Sequence, residues 1–274
     1  MRLRLPTRGL RWHFDHNDGH LIDKWVHYFD VYERHFEPFR GAKPRILEIG
    51  VSHGGSLQMW RRYFGRGATI VGIDIEPRVV ELAESGIAVH VGSQSDPDFL
   101  CGLVDRYGGF DIVIDDGSHW YADQIASLET LWPSLTDGGI YLVEDVHTSY
   151  MSAYQGGLNR VDTFVAEAKR RIDDLHAFWV DDGSLVVNEW TTSIGAIHIY
   201  DSIIVFDKVR RDRPVRRASG RPAFETLYGS PSDEMIDAEH RAQLAALGRP
   251  MARLRRSVRD PKGALERASR RMSG

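Results

Sequence analysis

Between residues 45 and 206, short apolar runs alternate with stretches whose apolar positions recur at helical spacing. That alternation predicts a parallel sheet with crossover helices, an α/β fold. Strands are expected at 45–50, 69–74, 87–91, 110–115 and 139–144. They are rich in Ile and Val and almost uninterrupted, as strands covered on both faces should be. Helices are expected at 56–64, 77–85, 97–106 and 121–131, with Pro77 and Pro97 in first turns, where proline is tolerated. Asp96 is placed to cap the third of these. A longer helix is expected at 158–178, followed by β-rich runs at 193–200 and 202–209. Little more than Asp201 separates those two runs, too short a link for a crossover, so they should pair antiparallel.

The flanks differ in character. Five of the twelve histidines fall within residues 1–44, and 21–39 reads as one amphipathic helix stopped near Pro38. Residues 210–222 are rich in Arg and Pro and read as a linker, with helical pieces at 232–247 and 263–271. The expected organisation is an N-terminal lid or substrate segment (1–44), a central domain (45–209), and a basic linker with a helical tail (210–274). From Asp207 onward 17 Lys and Arg face 9 Asp and Glu, although the whole chain of 274 residues carries a net charge of −4. Aromatics do not alternate with the basic residues of the tail, so it reads as solvated helices rather than a nucleic-acid surface.

Composition narrows the classes. With 42% hydrophobic and 27% charged residues the chain is neither disordered nor fibrous in character. No apolar run approaches the roughly 18 residues that span a bilayer. The first residues are basic but lack an apolar core, unlike a secretory signal. A single cysteine, Cys101, cannot close an intrachain disulfide, and a cytoplasmic location is expected. His13, His16 and His20 resemble a zinc cluster, but no cysteine accompanies them, and a mobile lid is the preferred reading of that segment.

The run from Ile46 to Ser56 (ILEIGVSHGGS) combines a strand end, a glycine turn and a helix start. Gly50 lets the backbone approach a ligand, and the helix opening at Ser56 offers free N–H groups. Asp74, at the next strand end, can accept both hydroxyls of an adenosyl ribose. NAD and S-adenosylmethionine (SAM) share this logic. Ser52 stands where a dinucleotide fingerprint has its second glycine, Glu48 tolerates a zwitterionic ligand better than a pyrophosphate, and the terminal hairpin is usual for a class I SAM-methyltransferase sheet. These features favour SAM on a Rossmann-like sheet.

Strand four ends Asp115-Asp116-Gly117-Ser118-His119, and strand five ends Glu144-Asp145. In doubly wound sheets ligands bind outside such strand ends. Four carboxylates there repel one another unless a cation sits among them, and hard oxygen donors suit Mg²⁺ or Mn²⁺. Some of these acids could instead cap helices. His119 is placed to take a proton from a metal-bound hydroxyl.

The segments LEIGVSHGGSLQMWRRYF, IVGIDIEP, FDIVIDDGSHWYADQIASLETLWPSLTDGGIYLVEDVHTSY and IHIYDSIIVFDK resemble the metal-dependent macrolide-sugar O-methyltransferases, over about residues 24–208. The resemblance implies Mg²⁺ ligands at Asp116, Glu144 and Asp145, a catalytic base at His119, and SAM contacts at Glu48, Gly50, Asp74, Ser93 and Gln94. Asp115 would lie near the amino-acid end of SAM, with Ser56 a further cofactor position. Gly92-Ser93-Gln94 replaces the family's Gly-Asp-Gln, and the family's extra N-terminal domain has no counterpart in this sequence. Trp120 and Tyr150 are candidates for stacking on a sugar face, or for packing under the lid. The expected activity is SAM- and Mg²⁺-dependent methylation of a hydroxyl on a sugar-containing small molecule or oligosaccharide, with no nucleic-acid partner, no membrane span and homo-oligomerisation left open. Methylation of a phenol, catechol or macrolide, and a non-catalytic SAM-binding module, are the alternatives.

Overall fold

The computed structural model describes residues 8–217 and 219. Seven strands form one sheet: β1 (Arg45–Ile49), β2 (Thr69–Asp74), β3 (Ile87–Val91), β4 (Phe110–Asp115), β5 (Leu135–Val143), β6 (Ile194–Ile199) and β7 (Ile204–Lys208). Their order is β3-β2-β1-β4-β5-β7-β6. The first five run parallel, and β7 pairs antiparallel with both β5 and β6. The order reverses between β1 and β4, which creates a crevice at their C-terminal ends.

Alternate residues of β1, β2, β4, β5 and β7 feed two separate cores. Ile46, Ile70, Ile112, Ile140 and Val205 pack under α1 (Leu10–Asp15), α2 (Tyr28–Phe36) and α3 (Gly55–Phe64). Leu47, Val71, Val113, Tyr141 and Phe206 pack under α4 (Pro97–Tyr107), α5 (Tyr121–Leu131) and α6 (Phe164–His176). A short α7 (Glu189–Ser193) leads into β6. Asp96 caps α4 as expected, accepting from the N–H groups of Asp98 and Phe99, both at 3.1 Å. No helix among the described residues is long and apolar enough to cross a membrane.

Four expected elements differ. The helix expected at 21–39 forms only from Tyr28, passing into a 3₁₀ turn at Glu37–Phe39, because proline disfavours helical geometry in the residue before it. Residues 21–27 instead run without helix as a strap. The helix expected at 158–178 starts at Phe164, capped by Thr163, whose hydroxyl accepts from Ala166 N at 3.2 Å. Pro77–Leu82 is 3₁₀ rather than α, cut short by the tight turn that pairs Glu84 with Ile87. Strand β5 begins at Leu135, ahead of the Gly138–Gly139 pair, because a register shift opposite Phe110–Ile112 absorbs those residues. The helical pieces expected at 232–247 and 263–271 lie outside the described residues.

Asp111 fastens the opening of the sheet. It accepts from Arg45 N at 2.8 Å and from Thr136 Oγ1 at 2.9 Å. Partial burial opposes its charge, but the Arg45 N–H and guanidinium and the Thr136 hydroxyl outweigh it and hold the pKa below the ordinary 3.8. A depressed carboxyl pKa stabilises the fold above the unfolded value, and that contribution fades as pH falls through the folded one. Asp111→Asn should therefore cost about 1 kcal/mol at pH 7. The gap to wild type should close below pH of about 4. Urea denaturation at the two pH values measures it; an equal loss at both would exclude the ionic contribution.

Candidate active site

The glycine loop after β1 is built around Asp74. Its Oδ2 accepts from the N–H groups of Val51 at 2.9 Å and Ser52 at 3.0 Å, and its Oδ1 accepts from Glu76 N at 3.0 Å. Gly50 has φ +89°, and an added Cβ would collide with the Asp116 carbonyl, so close approach of the β1 and β4 loops requires glycine there. Beneath the loop Glu48 is wholly buried. Ser56 Oγ donates to its Oε2 at 2.9 Å, and burial pushes the carboxyl pKa up to about 7.

Asp115 is likewise wholly buried. Ser127 Oγ donates to it at 2.5 Å, Gln94 Nε2 at 3.0 Å and Tyr141 OH at 3.3 Å. Burial raises its pKa to about 6 although these donors favour the anion. Gln94 Oε1 also accepts from Ser118 N at 2.8 Å, so Gln94 ties the β3 loop to the β4 loop.

The next residues face outward. Asp116, His119 and Asp145 each present a donor atom within 4.8 Å of the others. His119 Nε2 lies 3.5 Å from Asp145 Oδ2 and 4.0 Å from Asp116 Oδ1. His119 (φ +59°) and Asp145 (φ +53°) both occupy the left-handed region, a backbone cost typical of functional loops. Glu144 is buried, its Oε1 has no hydrogen-bond partner, and burial together with the Asp116 charge drives its pKa upward.

Two residues invisible to the sequence reading complete the cluster. The strap delivers Lys24, whose side chain is 4% exposed, into ion pairs with Asp116 and, at 2.9 Å, with Glu144. Burial opposes the ammonium, but Asp116, Glu144 and Glu48 outweigh it and hold it charged. Tyr28, opening α2, donates to Asp145 Oδ1 at 2.5 Å. The strap crosses α3 at Gly55, where any Cβ would strike the carbonyls of His20 and Leu21, and His20 N donates to Gln58 Oε1 at 3.0 Å. No local pattern marks Lys24, because its partners lie 92 and 120 residues away.

Two adjoining cavities share Gly50, Asp74 and Gly117. The larger, about 560 Å³, is lined by the outward acids, His119, Ser52, Tyr28 and strap residues 23–26. The smaller, about 270 Å³, has an apolar wall of Ile49, Ile73 and Ile75 and a polar rim including Ser93 and Gln94. Glu48, Ser56 and Asp115 line neither cavity; they support the loops that do. Trp120 and Tyr150 also lie outside both, Trp120 beside Tyr154 with ring centroids 5.6 Å apart. His13, His16 and His20 join no donor cluster among the described residues.

A sequence profile for a methyltransferase domain matches residues 47–146. The chain carries a methyltransferase domain. The 8-demethyl-8-α-L-rhamnosyl tetracenomycin-C 2′-O-methyltransferase of Streptomyces olivaceus is 39% identical over 200 residues, 69% of this chain and 52% of that protein. The mycinamicin VI 2″-O-methyltransferase of Micromonospora griseorubida is 35% identical over 69% of this chain and 50% of its own length. The chain thus spans about half the length of the curated relatives it matches. The MycE methyltransferase of the mycinamycin pathway, solved with Mg and SAH, superposes with a TM-score of 0.67 at 30% identity, covering 85% of this chain and 61% of that one. The methyltransferase domain therefore shares sequence with enzymes named as O-methyltransferases and its class I fold with MycE.

The residues of this domain fit a divalent cation: hard carboxylate donors converge, Glu144 Oε1 lacks a partner, and an ammonium already lies between Glu144 and Asp116. Lys24→Met should expose the repulsion between those acids and destabilise the protein by about 3–5 kcal/mol. Mg²⁺ should then raise the melting temperature of the variant more than that of wild type. Equal Mg²⁺ responses would show that Lys24 and the cation do not serve the same charges.

Proposed function

We propose that the chain transfers the methyl group of SAM to a hydroxyl of a sugar-containing acceptor with the help of a bound divalent cation. The arrangement of His119, Asp116 and Asp145 at the wall of the larger cavity carries this reading. The smaller cavity suits the adenosyl group, with Ile49, Ile73 and Ile75 against the base and Ser93 and Gln94 at its polar edge. Asp74 faces both cavities, where a ribose would join adenine to the sulfonium.

SAM supplies the electrophilic methyl group. A divalent cation held by Asp116, Asp145 and Glu144 would supply positive charge against the developing alkoxide. His119 Nε2 lies at the cavity wall beside Asp116 and Asp145, where it would accept the proton that leaves the acceptor hydroxyl. The acceptor oxygen then forms a bond to the methyl carbon as the carbon–sulfur bond breaks, leaving S-adenosylhomocysteine. Tyr28 fixes the Asp145 carboxylate from behind, and strap residues 23–26 form part of the cavity wall that separates the reacting atoms from water.

The relatives named above are O-methyltransferases of a rhamnosyl tetracenomycin and of mycinamicin VI. Their names support a glycosylated natural product as the acceptor class, with the sugar hydroxyl as the site of methylation. A cytoplasmic location and homo-oligomer formation accord with this reading.

His119→Ala should lower turnover by roughly 10²–10⁴-fold. Binding of S-adenosylhomocysteine, read by calorimetry, should stay within about threefold of wild type. A screen over glycosides and simple phenols with added Mg²⁺ tests the acceptor class. Turnover of phenols alone, or full activity in the variant, would sink the sugar assignment or the base assignment respectively.

A further inference from the structure

At the other end of α2 from Tyr28, a second set of metal donors converges that methyl transfer does not use. His35 lies in the last turn of α2, His198 on β6 and Asp207 on β7. In the hairpin register Ala196 opposes Asp207 and His198 opposes Val205, so His198 and Asp207 are diagonal neighbours on one face. Val205 on that face shares a core cluster with Tyr32 and Phe36, which brings α2 over it. One donor atom from each of the three side chains lies within 4.8 Å of the other two. His198 Nε2 is 2.9 Å from Asp207 Oδ2, and His35 Nδ1 is 3.9 Å from Asp207 Oδ1.

Two observations separate this group from an ordinary surface ion pair. His35 is 6% exposed, and its remote nitrogen Nε2 lies 3.0 Å from the Tyr200 hydroxyl. An outer partner on one ring nitrogen fixes the tautomer and aims the other, the arrangement found behind metal-binding imidazoles. Arg34 also reaches the Tyr200 oxygen, at 3.4 Å, and the His35 tautomer with its proton on Nε2 leaves Nδ1 as a lone-pair donor toward Asp207. Asp207 Oδ1, moreover, is buried without a hydrogen-bond partner, an acceptor lacking its positive charge.

We propose that His35 Nδ1, His198 Nε2 and the Asp207 carboxylate form a second metal site that takes Zn²⁺, with water in the fourth position. Two imidazoles and one carboxylate favour Zn²⁺ over Mg²⁺, whereas the outward acids at the β4 and β5 ends are the harder set. The three ligands come from α2 and both hairpin strands, so the ion clamps the terminal hairpin to the helix that begins at the active site. The site stands independently of the methyl-transfer reading.

Zn²⁺ titrated by calorimetry into metal-free full-length protein, with excess Mg²⁺ present, tests it. One Zn²⁺ equivalent should bind, and it should persist in Asp116→Asn, which removes the other cluster. His198→Ala and Asp207→Asn should each weaken it by roughly 100-fold while leaving the circular dichroism spectrum unchanged. Co²⁺ in place of Zn²⁺ should give the visible absorption of a four-coordinate ion in wild type and lose it in both variants. Absence of Zn²⁺ binding, binding unchanged in His198→Ala and Asp207→Asn, or loss of binding in His16→Ala instead would each overturn the proposal.

Discussion

Mutual repulsion among carboxylates at adjoining strand ends is the constraint around which this fold is arranged. Asp115 closes β4 and Asp116 follows it, while Glu144 and Asp145 follow β5. The parallel register sets Asp115 opposite Val143, so the acids cannot separate without breaking the sheet. The chain resolves the conflict by depth. Asp115 turns inward to a full set of hydrogen-bond donors, Asp116 and Asp145 turn outward beside His119, and Glu144 is buried against Lys24. Two residues adjacent in sequence thereby acquire opposite duties.

The hydrophobic pattern carried the sheet well because its strands are covered on both faces, where burial and sequence agree. Strands β2, β3 and β4 and helix α5 fall on their expected bounds. Pattern failed where the same residues could satisfy two periods. Residues 21–39 keep apolar positions at helical spacing, yet the first part runs as a strap because Lys24 must reach acids supplied by β4 and β5. That demand is tertiary and leaves no local trace.

The candidate site shows the same division. Asp116, His119 and Asp145 were legible from strand-end position, and the structure brings them together. The placement of Glu48, Ser56 and Asp115 was not legible, because a strand-end carboxylate can point up to ligand or down to core with an unchanged sequence signature. Here Glu48 and Asp115 are wholly buried, shaping the loops from below. The buried side of His35 was hidden for a related reason: its partners, Tyr200 and Asp207, come from the last hairpin.

The strap's docking surface sets an order of assembly. Residues 8–36 leave the ribosome before the sheet does, yet Gly55 and Gln58 receive the strap, Asp116 and Glu144 receive Lys24, and Tyr28 OH reaches Ser202 O at 3.4 Å. Every one of those partners is synthesised later. The strap side of the larger cavity is therefore translated before every group it docks against, and it can settle only once the last of them, next to the terminal hairpin, has emerged.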